Sequence, residues 1–248
     1  MTSRSYSDTT PAVTYGYDAG TSYVKGRLTS VTSSVSSYTF DSYDAIGNVL
    51  TATQTTDGVA YATTYAYNRA GAFTSQTYPS GRTVVSEYDS AGRLAGVKPQ
   101  GSTNYYAGAG STDANRIGYA PHGVVGTMRL GNGLWEHANF NSRLQTTEIG
   151  LGSSSANSTV LQLGYGYGTS NNNGNVQSQT ITVPAIGSVT GYTASQTYTY
   201  DELNRLATAQ EGAAWVQNFD YDRYGNRSLV AGTTFPSPLN AENNPVIK

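Results

Sequence analysis

Tyr88-Asp89-Ser90-Ala91-Gly92-Arg93-Leu94 reads as a tight turn with a strand on either side. Asp at the first position of a four-residue turn accepts bonds from backbone N–H groups two residues on, and Gly at the fourth takes the positive φ that a type I hairpin tip needs. An aromatic residue before the tip and an aliphatic one after it suit two strands. The unit returns as Tyr43-Asp44-Ala45-Ile46-Gly47-Asn48, as Tyr67-Asn68-Arg69-Ala70-Gly71, as Tyr200-Asp201-Glu202-Leu203-Asn204-Arg205-Leu206, and as Tyr221-Asp222-Arg223-Tyr224-Gly225-Asn226-Arg227. Such recurrence describes one structural unit copied along a chain, not a single constellation of reactive groups.

Ahead of the tips, rings recur at i and i+2: Tyr15/Tyr17, Tyr65/Tyr67, Tyr165/Tyr167, Tyr198/Tyr200 and Phe219/Tyr221. That spacing puts both rings on one face of a strand. The turn positions Asp44, Asn68 and Asp89, and again Asp201 and Asp222, stand about 21 to 24 residues apart, which two strands of roughly 5–6 residues and their turns fill with no room for a crossover helix. Return turns are signalled by Asp57-Gly58, Pro79-Ser80-Gly81, Asn132-Gly133 and Asn173-Gly174. The fold class expected is therefore all-β: repeated antiparallel hairpins in one curved or spiralling sheet. Residues 1–230 read as a single repeat region and 231–248 as an irregular tail. Within it, Tyr15-Gly16-Tyr17-Asp18 is a degenerate first unit with an insertion before Gly26-Arg27-Leu28, and Asn139-Phe140-Asn141-Ser142-Arg143-Leu144 is a shortened tip. The Ser- and Gly-rich stretches Ser102–Thr112 and Ser153–Thr159 read as long exposed loops, and no helical stripe is found.

Composition narrows the function. Only 12% of the 248 residues are charged and the net charge is -2, so there is no basic footprint for nucleic acid. Tyr (21 residues) outnumbers Phe (5), as suits half-buried rings that keep a hydroxyl bonded. Absence of Cys excludes disulfides and thiol chemistry, and no apolar run is long enough for a membrane span. If the polypeptide is exported, the signal is expected outside this chain.

The repeated Tyr-Asp-x-x-Gly-Arg-Leu, with Tyr78-Pro79-Ser80-Gly81-Arg82 between copies, resembles the YD repeats of bacterial Rhs proteins over about residues 15–230. The resemblance implies a β-sheet that coils into a hollow shell, which in polymorphic toxins and insecticidal toxin complexes encloses a C-terminal toxin domain. The same repeats occur in teneurin-type surface proteins, for which glycan binding or adhesion has been proposed. Expected partners are therefore further YD repeats of the same polypeptide, with an enclosed toxin domain or a cell-surface glycan, in a secreted or surface-exposed bacterial protein. The Asp-Pro-x-x-Gly-Arg-Phe motif tied to self-cleavage in the family does not occur in the sequence, so that activity is not carried over. Roughly 16–18 strands spaced at about 4.8 Å make a ribbon about 80 Å wide, which suits a piece of a larger shell.

Reactive groups read the same way. Tyr43, Asp44 and Gly47, Tyr67, Asn68 and Gly71, Tyr88, Asp89 and Gly92, Tyr200, Asp201 and Asn204, and Tyr221, Asp222 and Gly225 are assigned to the repeat turns, with no catalytic, cofactor or metal site. Arg93, Arg205 and Arg227 are expected to bond carbonyls or a carboxylate of the adjacent hairpin. His122 and His137 have no metal-ligand spacing and read as surface or loop residues. Trp135 and Trp215 are the candidate platforms for stacking a sugar ring.

Overall fold

The computed structural model describes residues 2–170, 172–230 and 232–235, and all of their regular elements are β-strands. Chain contacts divide it into two units, Met1–Ile117 and Gly118–Lys248. The first holds β1 (Ser3–Arg4), β2 (Val13–Tyr17), β3 (Leu28–Thr32), β4 (Ser36–Tyr43), β5 (Val49–Thr56), β6 (Val59–Tyr67), β7 (Phe73–Thr77), β8 (Thr83–Tyr88), β9 (Leu94–Pro99) and β10 (Ala107–Gly108). The second holds β11 (Gly118–Tyr119), β12 (Val125–Arg129), β13 (Trp135–Phe140), β14 (Thr146–Gly152), β15 (Leu161–Gly166), β16 (Ser178–Val183), β17 (Tyr192–Tyr200), β18 (Leu206–Glu211), β19 (Trp215–Tyr221) and β20 (Arg227–Leu229). In each unit the ten strands lie in sequence order as one antiparallel meander. Among the described residues there are twenty strands instead of the sixteen to eighteen expected, because strands at the sheet ends, such as β1 and β10, are only two residues long. Positions 231 and 236–248, most of the expected tail, lie outside the described residues.

Alternation sorts each sheet into two faces. In the first unit Tyr38, Phe40, Tyr43, Tyr65, Tyr67 and Phe73 share one face, with centroids 5.1 Å apart for Tyr38 and Phe40 and 5.9 Å for Tyr67 and Phe73. The other face is a ladder of hydroxyls, with Ser42 and Thr51 2.7 Å apart across β4 and β5, and Thr77 and Thr83 2.8 Å apart across β7 and β8. The second unit repeats the division: Thr199 and Thr208 bond at 2.6 Å on the polar face, while Tyr198 pairs with Ala209 on the other. Within each unit taken by itself, a single sheet leaves few places for full burial. Accordingly the buried apolar side chains include four alanines, Ala52, Ala95, Ala109 and Ala209, and among the described residues no large side chain is fully enclosed.

The long loops depart from expectation. Residues 101–117 fold back on the sheet, burying Ala109 and Ile117 and pairing β10 with β9. They can do so because Gly96 has no side chain: a Cβ there would lie 2.4 Å from the Ala109 carbonyl oxygen. Asn173-Gly174 is also not a return turn. It lies in the β15–β16 connection, at the same end of the sheet as the Asp201 tip, where Asn173 Nδ2 donates to Asn204 Oδ1 at 2.7 Å.

Candidate functional site

Every Asx tip is closed by its own backbone and capped by its own side chain. At the Asp89 tip the Asp89 N–H donates to the Arg93 carbonyl at 2.8 Å and the Gly92 N–H to the Asp89 carbonyl at 2.9 Å, the pattern of a type I turn followed by a residue with positive φ. Asp89 Oδ1 accepts the N–H groups of Ala91 and Arg93, each at 2.9 Å. Asp44 accepts from Ile46, Gly47 and Asn48, Asn68 from Ala70 and Ala72, Asp201 from Leu203 and Arg205, and Asp222 from Tyr224 and Asn226. The fourth position carries φ of +76° at Gly92 and +60° at Asn204. The tip expected to be shortened is complete, with Leu144 at φ +63° in the place of Gly. Tips at Tyr78, Ala120 and Leu130 share this backbone without a leading Asx residue, two of them using Pro79 and Pro121 at the second position.

These bonds also set the charge state. The backbone N–H of Arg93 holds the Asp89 carboxyl below its ordinary range, and that of Arg205 does the same for Asp201. At Asp222 the Asn226 side chain leads the lowering. Burial pushes Asp44 up, but the donors of Asn48, Gly47 and Ile46 outweigh it and the net shift is downward. Each carboxylate is thus ionised and occupied at a separate tip, which leaves no pair free for acid-base work.

The tyrosines of four units, Tyr43, Tyr88, Tyr200 and Tyr221, have a partner that the sequence reading missed. Tyr221 Oη donates to the Leu206 carbonyl at 2.9 Å, Tyr43 to that of Leu28, and Tyr88 to that of Phe73. In each case the acceptor is the first residue of the strand that follows the preceding tip. Tyr167 and Tyr200 repeat the contact with Thr146 at 2.8 Å and Val176 at 2.7 Å. The arginine beside the acceptor completes the latch: the Arg205 guanidinium lies 4.3 Å from the Tyr221 ring centre and that of Arg27 lies 5.2 Å from Tyr43. At Arg27-Leu28 and Arg205-Leu206 the Arg-Leu that ends one unit is therefore the receptor for the Tyr that begins the next. A signal was present, since acceptor and tyrosine are 15 residues apart in the first three cases.

Arginine placement otherwise corrects the expectation. Arg93 and Arg205 pair with Asp89 and Asp201 of their own tips, at 2.8 and 2.7 Å. Arg227 lies 4.6 Å from the Phe219 ring centre. Arg27 does cross between hairpins, donating to the Asp44 carbonyl at 3.1 Å.

His137 is the second correction. It is buried, at 5% exposure, with Nε2 3.2 Å from Glu148 Oε1, while Ser158 Oγ donates to the same oxygen at 2.8 Å. Residues 153–160 fold over β14 to make this contact, above Gly150, where a Cβ would meet both His137 and Ser158 at 2.3 Å. Ser, His and Glu converge here, but the serine hydroxyl points at the carboxylate and not at the imidazole, so it lacks the base a nucleophile needs. Among the described residues no three His, Asp or Glu side chains are grouped to hold a metal ion. Trp135 and Trp215 are both half-buried and stand on different faces of their sheet: Trp135 pairs with Gly152 on the polar face and Trp215 with Glu211 on the aromatic one.

With this geometry in hand, the chain can be set beside known proteins. Residues 67–103 match the family model described as RHS Repeat. No curated protein matches the sequence. Among solved structures, a Photorhabdus luminescens Tc holotoxin pore carrying a TccC3 mutation is similar at 20% identity over 91% of this chain, with a TM-score of 0.61. The crystal structures of TcdB2-TccC3-Cdc42 and of TcdB2-TccC3 are each similar at 19% identity over 89% of this chain, with TM-scores of 0.63 and 0.62. At these identities the likeness establishes the fold, and the chain spans only 14% of the length of each of those three chains.

Proposed function

We propose that this chain of Rhs/YD repeats is a non-catalytic piece of shell wall in a large secreted or surface-exposed bacterial protein, and that the wall helps to enclose a C-terminal toxin or effector domain. The observation that carries this reading is the use made of the recurring residues. Each tip Asp is spent on its own turn, and the repeat tyrosines that lead into the Asp44, Asp89, Asp201 and Asp222 tips are spent on the hairpin before. Residues committed to joining hairpin to hairpin build a surface, and a surface of this type recurs in the toxin-complex structures. The adhesive alternative needs exposed rings on a common surface. Trp135 and Trp215 stand on different faces, so the two do not form one platform.

Protease treatment of the polypeptide encoded by the full reading frame, followed by mass spectrometry, tests the proposal. A segment C-terminal to the repeats should stay intact until the repeats are unfolded. Digestion of that segment at the rate of a free domain would contradict enclosure.

A further inference from the structure

The two units contain the same local device, and it is completed differently in each. In the first, Glu87 on β8 lies opposite Gly96, the covering loop lays Tyr105 over that glycine, and Tyr105 Oη donates to Glu87 at 2.8 Å. Lys98 Nζ then meets the carboxylate at 2.6 Å. In the second, Glu148 shares its face with Gly150 on β14, the covering loop lays Ser158 over that glycine, and Ser158 donates to Glu148 at 2.8 Å. The two carboxylates are equally sheltered, at 27% and 25% side-chain exposure.

What differs is the cation. Glu148 is held by donors alone: Ser158, the Gln162 side chain and His137 Nε2. The buried Nδ1 of His137 has no hydrogen-bond partner among the described residues. No lysine or arginine pairs with Glu148 among the described residues. Beside Glu148 there is a depression of about 650 Å³, lined by Glu148, Ser158, Thr159 and Gln162 on its polar side and by Ala156, Pro184 and Ala185 on its apolar side. An oriented carboxylate beside a short apolar wall suits an ammonium on a methylene stem, which buries the stem and pairs the head.

We propose that the depression beside Glu148 receives a lysine side chain presented by a polypeptide lying on this face of the second unit, as Lys98 completes Glu87 in the first. The proposal does not depend on whether the wall encloses anything. An NMR titration of the isotope-labelled chain with Nα-acetyl-lysine methylamide tests it, with the Nε-acetylated analogue as the control. Saturable shifts are expected at the amides of Ser158, Gln162 and Ala185, with the acetylated analogue binding at least about fivefold more weakly. E148Q should reproduce the loss, and because the control lies in the ligand the result stands even if that variant frees its covering loop. Equal affinity for the two probes, the absence of shifts at those residues, or shifts there with maltose alone would each overturn it.

Discussion

Gly92 has open space where a Cβ would stand, so the demand for glycine there is one of backbone conformation alone. At φ +76° a β-branched side chain is strained, and Gly92→Val is expected to lower stability by more than about 1 kcal/mol in urea denaturation, with Gly225→Val behaving alike. Unchanged midpoints for both would disprove the turn assignment. The tyrosine latch makes a separate claim. Tyr88→Phe and Tyr221→Phe each remove one hydroxyl bond to a carbonyl and should cost about 1 kcal/mol, whereas at exposed Tyr61 the same change should stay within about 0.5 kcal/mol. Equal effects at all three positions would remove the latch from the description. The turn residues could be read from sequence because Asx and Gly act within five residues of themselves. The tyrosine acceptors left only the 15-residue offset as a trace, because Leu206 meets Tyr221 only when two hairpins are laid side by side. Burial of His137 was hidden for the same reason, since it depends on Gly150 in the next strand and on Ser158 in a loop beyond it.

Hairpins and loops differ in how much their sequences disclose. Strand order followed from the spacing of tips, because a period of little more than twenty residues admits only neighbouring antiparallel strands. Loop placement did not follow, because Ser, Gly and Asn compose a free loop and a folded-back one equally well; the informative residues were the strand glycines Gly96 and Gly150, which leave room for the chain to return. The connection between β15 and β16 shows the consequence. Gln145 and Asn172 exchange two side-chain bonds, Nε2 to Oδ1 at 2.9 Å and Nδ2 to Oε1 at 2.8 Å, and Asn173 and Asn175 both donate to Asn204. This loop therefore ties together the tips on either side of it. A double-mutant cycle on Gln145→Ala and Asn172→Ala should give a coupling of about 0.5–1 kcal/mol, and additive effects would mean that the loop stands free.

Taken over the whole molecule, the same bonds fix the response to pH. The tip carboxylates sit below their ordinary value of 3.8, so the stability they supply is present above that value and is lost as pH falls through the lowered ones. Burial raises Tyr43, Tyr167 and Tyr200 above 10.0, so their share is present below that value and is lost as pH rises through the raised ones. The urea midpoint should be flat between about pH 5 and 9 and fall on both sides; a midpoint that slopes steadily across that window would contradict the assignment. The meander itself is open to a more direct check, since the chain contains no cysteine of its own. Thr180 and Ser195 lie directly opposite each other on β16 and β17, while Ala194 points to the other face. Mild oxidation of the T180C/S195C variant should form an intramolecular disulfide in nearly every molecule, and T180C/A194C should remain reduced. The reverse outcome, or equal bridging in both variants, would show that these hairpins are not paired in this register.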